Sequence, residues 1–98
     1  MIDLQSILVI VSETCKVKLA HIISNSRRAE IVDARSLYIY FGKLEGYTAK
    51  QISKLFAQNE RSIDYHLHRV RRLVVIDKKL RHLYADCSEA IKSYKGRY

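Results

Sequence analysis

Residues 48–74 read Thr48-Ala49-Lys50-Gln51-Ile52-Ser53-Lys54-Leu55-Phe56-Ala57-Gln58-Asn59-Glu60-Arg61-Ser62-Ile63-Asp64-Tyr65-His66-Leu67-His68-Arg69-Val70-Arg71-Arg72-Leu73-Val74. A short amphipathic segment, a four-residue break and an arginine-rich amphipathic segment follow one another. Thr48 with Gln51 three positions on forms a capping box, and Ile52, Leu55 and Phe56 then share one face while Lys50 and Lys54 turn away. In the break, residues 57–60, Asn59 offers the next cap and Glu60 a first-turn carboxylate suited to the positive end of a helix. At roughly 100° per residue, Ile63, Leu67, Val70 and Val74 fall in a narrow arc, with Arg61, Tyr65, His68, Arg69 and Arg72 on the far side. The spacing therefore predicts a helix-turn-helix over about residues 48–75.

The chemistry of the far side is specific. An arginine fork donates two parallel hydrogen bonds to a guanine edge or a phosphate, and the major groove of duplex DNA admits one α-helix. Arg61, Ser62 and Tyr65, near the start of the second helix, with Arg69 beyond them, are the expected base contacts. Lys50 and Lys54 are expected on phosphates.

Outward from this stretch, the pattern predicts helices throughout. Leu4, Ile7, Leu8, Val11 and Cys15 recur at threes and fours behind Asp3. Residues 17–25 read as a linker with at most one helical turn, and Ser24, Asn25 and Ser26 as caps for a helix starting near Arg27. That helix, to about Leu44, is apolar around most of its girth (Ile31, Val32, Ala34, Leu37, Tyr38, Ile39, Phe41), so it is placed at the centre of the domain. Arg28, Arg35 and Gly42, seven apart, share one stripe of it. The residues leave two readings of the arginines open: phosphate or minor-groove anchors, or partners for Glu30, Glu45 or Glu60. Gly42 suits a helix stop or a close crossing, and Gly46 a terminal C′ glycine. Leu80, Tyr84, Cys87, Ile91 and Tyr94 form a last amphipathic stripe behind Asp77, and the basic tail, residues 92–98, is expected to fray.

Composition agrees with this picture. Ninety-eight residues suit one domain, an all-α compact bundle of about five helices; proline is absent and there are three glycines. Lys and Arg exceed Asp and Glu by 18 to 10, a net charge of +8 that favours polyanions without choosing among them. RNA is one such polyanion, but no glycine-flanked aromatic strand motif supports it. No apolar run is long enough to span a bilayer and the first residues lack a secretory signal's positive flank, so a cytoplasmic location and no membrane partner are expected. Cys15 and Cys87 read as reduced core residues.

Catalytic and metal chemistry find no footing. His66 and His68 point roughly 200° apart on a helix and cannot share an ion. Neither cysteine has a partner at zinc-ligand spacing, and no Gly-x-Ser-x-Gly elbow exists. We expect no metal, no cofactor and no enzymatic activity.

The run Arg27-Arg28-Ala29-Glu30-Ile31-Val32-Asp33-Ala34-Arg35, the following Tyr38-Ile39-Tyr40-Phe41, and the two helices up to Val74 together resemble the C-terminal DNA-binding domain of the bacterial replication initiator DnaA. The likeness covers residues 17–91. It implies a Trp-repressor-like helix-turn-helix in which the residue at Arg35 enters the minor groove, the one at Arg28 supports backbone contact, and residues 57–63 carry the major-groove motif. There the family has Gly-Gly-Arg-Asp-His, then Ser or Thr, then Thr. This chain has Ala57-Gln58-Asn59-Glu60-Arg61-Ser62-Ile63, with Phe56, Ser62 and His66 agreeing and Arg61 in the histidine's place. The resemblance thus implies a retained scaffold with a rewritten base code. A Gly-x-x-x-x-Gly-Lys-Ser/Thr loop is missing from the chain, so it holds no initiator ATPase. The expected partner is double-stranded DNA, in replication-site recognition or transcriptional regulation. The competing expectation is a replication or transcription protein bound by the same scaffold, and Tyr40, Tyr47 and Tyr98 hint at a contact surface.

Overall fold

The computed structural model describes residues 2–55 and 60–96, apart from the side chains of 60 and 61. Six α-helices account for the described secondary structure: α1 Leu4–Cys15, α2 Leu19–Ile22, α3 Ala29–Leu44, α4 Ala49–Ser53, α5 Glu60–Ile76 and α6 Lys78–Gly96. The all-α bundle matches the expectation from composition, with one helix more than the five anticipated. The extra one is α2, a single turn inside the segment read as a linker, with Ile22 fully buried.

α3 is the axle. Ile31, Ala34, Leu37, Tyr38, Ile39 and Phe41 are buried along it, and α1, α2, α4, α5 and α6 all pack against it. Burial on nearly all sides follows from a helix with apolar residues around most of its circumference. Gly42 serves a close crossing and not a stop: a Cβ there would stand 3.1 Å from Ile52 Cδ1 and 3.2 Å from Leu4 Cδ2. Gly46 takes φ +96, the left-handed conformation that ends a helix without a Cβ clash.

The caps divide into local and long-range solutions. Asp3 accepts from Ser6 N at 2.6 Å, Thr48 and Gln51 close their capping box, and Asp77 Oδ1 accepts from Leu80 N at 3.1 Å, each as the spacing predicts. Ser24 and Ser26 behave differently. Arg28 is the N-cap of α3 and makes no side-chain cap bond, while Ser24 Oγ donates to His21 O and Ser26 Oγ accepts from Arg28 N, so both serines fold the preceding turn.

Two ends depart from expectation. α4 stops at Ser53, so Leu55 sits in a turn and is 36% exposed instead of sharing the buried face of Ile52. The expected cap Asn59 and Phe56 lie outside the described residues. At the other terminus α6 is helical as far as Gly96, inside the basic tail. Tyr94 Oη lies 3.1 Å from Ser6 Oγ, and Lys95 pairs with Glu45 at 3.1 Å, tying the tail to α1 and to the end of α3. Cys15 and Cys87 are free thiols whose mutual interaction lowers the Cys15 pKa and, together with burial, pushes the Cys87 pKa up.

Candidate nucleic-acid interface

α5 is positioned by one face. Ile63, His66, Leu67 and Val70 are buried against the bundle, and Asp64, Tyr65, His68, Arg71 and Arg72 are exposed on the opposite side. Tyr65 is 57% exposed, with its ring 5.1 Å from that of His66. The 3.6-residue period of the sequence is thus realised over the length of the helix.

Ser62, Tyr65 and Arg69 lie together on a cleft of about 860 Å³ between α5 and the start of α3, whose other wall includes Arg27 and Arg35. Arg28, Lys50 and Lys54 are exposed but do not line it. The Arg61 side chain falls outside the described residues. Arg28 pairs with Glu30 at 3.1 Å, and with 74% of its side chain exposed that pair competes weakly with any incoming anion.

Two of the expected DNA contacts are spent inside the protein. Arg35 is 2% exposed, and its guanidinium donates to Ile22 O (2.8 Å), Ser26 O (3.0 Å), Ser24 O (2.6 Å) and, more weakly, His21 O (3.4 Å). Burial lowers its pKa, but four carbonyls surround the charge. In this arrangement Arg35 is a strut for residues 21–26 and not a groove anchor. Arg69 donates to Asp33 Oδ1 at 2.7 Å and to Ser36 Oγ at 3.3 Å, its side chain only 14% exposed. The carboxylate on α3 has drawn it inward from the helix face, so it is no free base contact here.

The same junction holds a histidine. His66 Nδ1 lies 2.6 Å from Ser36 Oγ. Arg69 donates to the same hydroxyl oxygen at 3.3 Å, so Ser36 Oγ joins the imidazole and the guanidinium at one point. Burial first, then the charges of Arg35 and Arg69, push the His66 pKa down to about 4. A buried serine beside a histidine invites a nucleophilic reading, but Ser36 is 0% exposed. Among the described residues, no group of three His, Cys, Asp or Glu side chains is placed to hold a metal ion, and no helix is long and apolar enough to cross a membrane.

Comparison with family models and with curated proteins gives no match for this chain. His68 and Arg72 belong to the outward stripe with Tyr65, and Arg27 flanks the cleft, yet none was among the expected contacts. The helical wheel contained the signal for two of them: steps of three and four from Tyr65 reach His68 and Arg72, whereas Arg69 stands at the margin of the stripe.

Proposed function

We propose that this chain is a duplex-DNA-binding domain of the helix-turn-helix type, with a layout like that of the DnaA C-terminal domain. The observation that carries the reading is the outward stripe of α5, Tyr65, His68 and Arg72, standing on a helix whose opposite side is locked into the core. Arg61, four residues before Tyr65, belongs to this stripe by register. Lys50 and Lys54 on the exposed side of α4 and its turn, with Arg27 and Arg28 before α3, are the phosphate contacts that set affinity. Such a module recognises a replication or transcription control site in the cytoplasm of a bacterium, on chromosomal, plasmid or phage DNA.

Selection from a random duplex library at about physiological salt tests the reading, because attraction to phosphates alone is suppressed there. An enriched motif supports it. A pool that stays random removes it and leaves the scaffold as a protein-binding module.

The stripe also separates two kinds of contact. Arg72→Ala is expected to cost about 1–3 kcal/mol on the preferred site and to relax the base preference at one position. Lys54→Ala should weaken all sequences alike and flatten the salt dependence by about one charge. Titrations of matched and scrambled duplexes at several salt concentrations give both numbers; equal behaviour of the two variants would mean that α5 does not read bases.

A further inference from the structure

The outward stripe of α5 does not end in charge. At its C-terminal end Val75 is 70% exposed and Ile76 71%, more than any other large hydrophobic side chain described. Counting roughly 100° per residue, they fall on either side of Arg72, in line with Tyr65 and His68. The corner that carries them is fixed: Arg81 reaches back from α6 to donate to Val74 O at 3.2 Å and to Val75 O at 3.1 Å. Arg71 and Arg72 precede the pair by a turn and Lys78 and Lys79 follow it, all exposed and none in an ion pair among the described residues, while the intervening Asp77 is engaged in capping α6.

A second copy of a chain with net charge +8 is a poor occupant for an apolar knuckle flanked by four cations. The occupant must be strongly anionic and must present apolar groups of methyl size. Duplex DNA has both, because every thymine places a C5 methyl in the major groove between two phosphate rails. From Tyr65 to Ile76 the helix rises roughly 16 Å, the length of roughly five base steps. We propose that Val75 and Ile76 read thymine methyl groups at the end of the site away from Tyr65, with Lys78 and Lys79 on the adjacent phosphates. This inference rests on the duplex-DNA reading of α5.

Replacing thymine by uracil removes the methyl and leaves every hydrogen-bonding edge unchanged, so it isolates the contact. Two random duplex pools, one made with thymine and one with uracil, are titrated against the wild-type chain and against a Val75→Ser/Ile76→Ser double variant. The wild type should prefer the thymine pool by about fourfold for each methyl group buried. The double variant should bind both pools equally, with an unchanged melting curve because both side chains are exposed. A Val75→Ala/Ile76→Ala variant, which keeps helix propensity, should lose the preference in part. Binding of both pools with the same affinity by the wild type overturns the inference and leaves the DNA reading standing. A preference that survives in the serine variant also overturns it. Absence of binding to either pool overturns both.

Discussion

Arg35→Ala should lower the unfolding free energy by about 3–5 kcal/mol, a large fraction of what a domain of this size holds in total. Three carbonyls, those of Ile22 at the end of α2 and of Ser24 and Ser26 in the turn after it, lose a charged donor at 2.6–3.0 Å. Hydrogen bonds to charged groups contribute about 1.5–3 kcal/mol each, and the loss is not fully additive because the freed turn can find water. Arg35→Lys should recover less than half, since one ammonium cannot reach carbonyls arranged around a planar fork. Denaturant midpoints measure the first effect, and amide exchange in residues 21–28 should rise well beyond the rest of the domain. The alternative is that Arg35 serves as a groove anchor. In that case the alanine variant would melt with the wild type and lose DNA affinity alone.

What was legible in the sequence, and what was not, divides along the range of the interactions. Ile63, Leu67 and Val70 could be assigned to the core because their spacing repeats within one helix, and the Thr48–Gln51 box and Asp77 cap because each partner lies three residues away. Arg69 could not. Its place is set by Asp33, 36 positions earlier, and only the packing of α3 on α5 brings the carboxylate within 2.7 Å. A long arginine at the margin of a helix face goes to whichever anion it meets, and periodicity does not tell which. The burial of Arg35 was illegible for a related reason. Seven-residue spacing with Arg28 suggested a common outlet, but Arg28 lies at the N-cap on the surface while Arg35, two turns deeper, is covered by the 21–26 turn.

The two arginines that turn inward support the surface proposed to read DNA. Arg35 fixes the turn that leads into Arg27 and Arg28, and the Arg69–Asp33 pair joins α5 to α3 behind Tyr65. A recognition helix needs this kind of rigidity, because base contacts lose their selectivity when the side chains that make them can shift. The cost of the arrangement is positive charge at one buried junction, where Arg35 and Arg69 both act on the imidazole of His66.

Acidification should expose that cost. His66 has an ordinary pKa of 6.5 in the unfolded chain and about 4 in the fold. Between those values the unfolded chain binds a proton that the folded one refuses, so stability is full above about pH 6.5 and falls as the pH drops toward 4. The difference corresponds to about 3 kcal/mol at the bottom of the window. Protonation would place an imidazolium in a buried site beside the guanidinium charges of Arg35 and Arg69, which loosens the α3–α5 junction. His66→Asn removes the titration while keeping an acceptor near the position of Nδ1, and its stability should change much less between pH 7 and 5. Denaturation of both proteins across that range gives the result by difference, which cancels the titration of the carboxylates they share. Parallel curves would show that His66 ionises in the fold as freely as in water. Diverging curves, with the wild type losing ground as the pH falls, would identify the packing of α5 on α3 as the acid-labile joint, and DNA affinity should then fail over the same interval because Tyr65, His68 and Arg72 depend on that joint for their alignment.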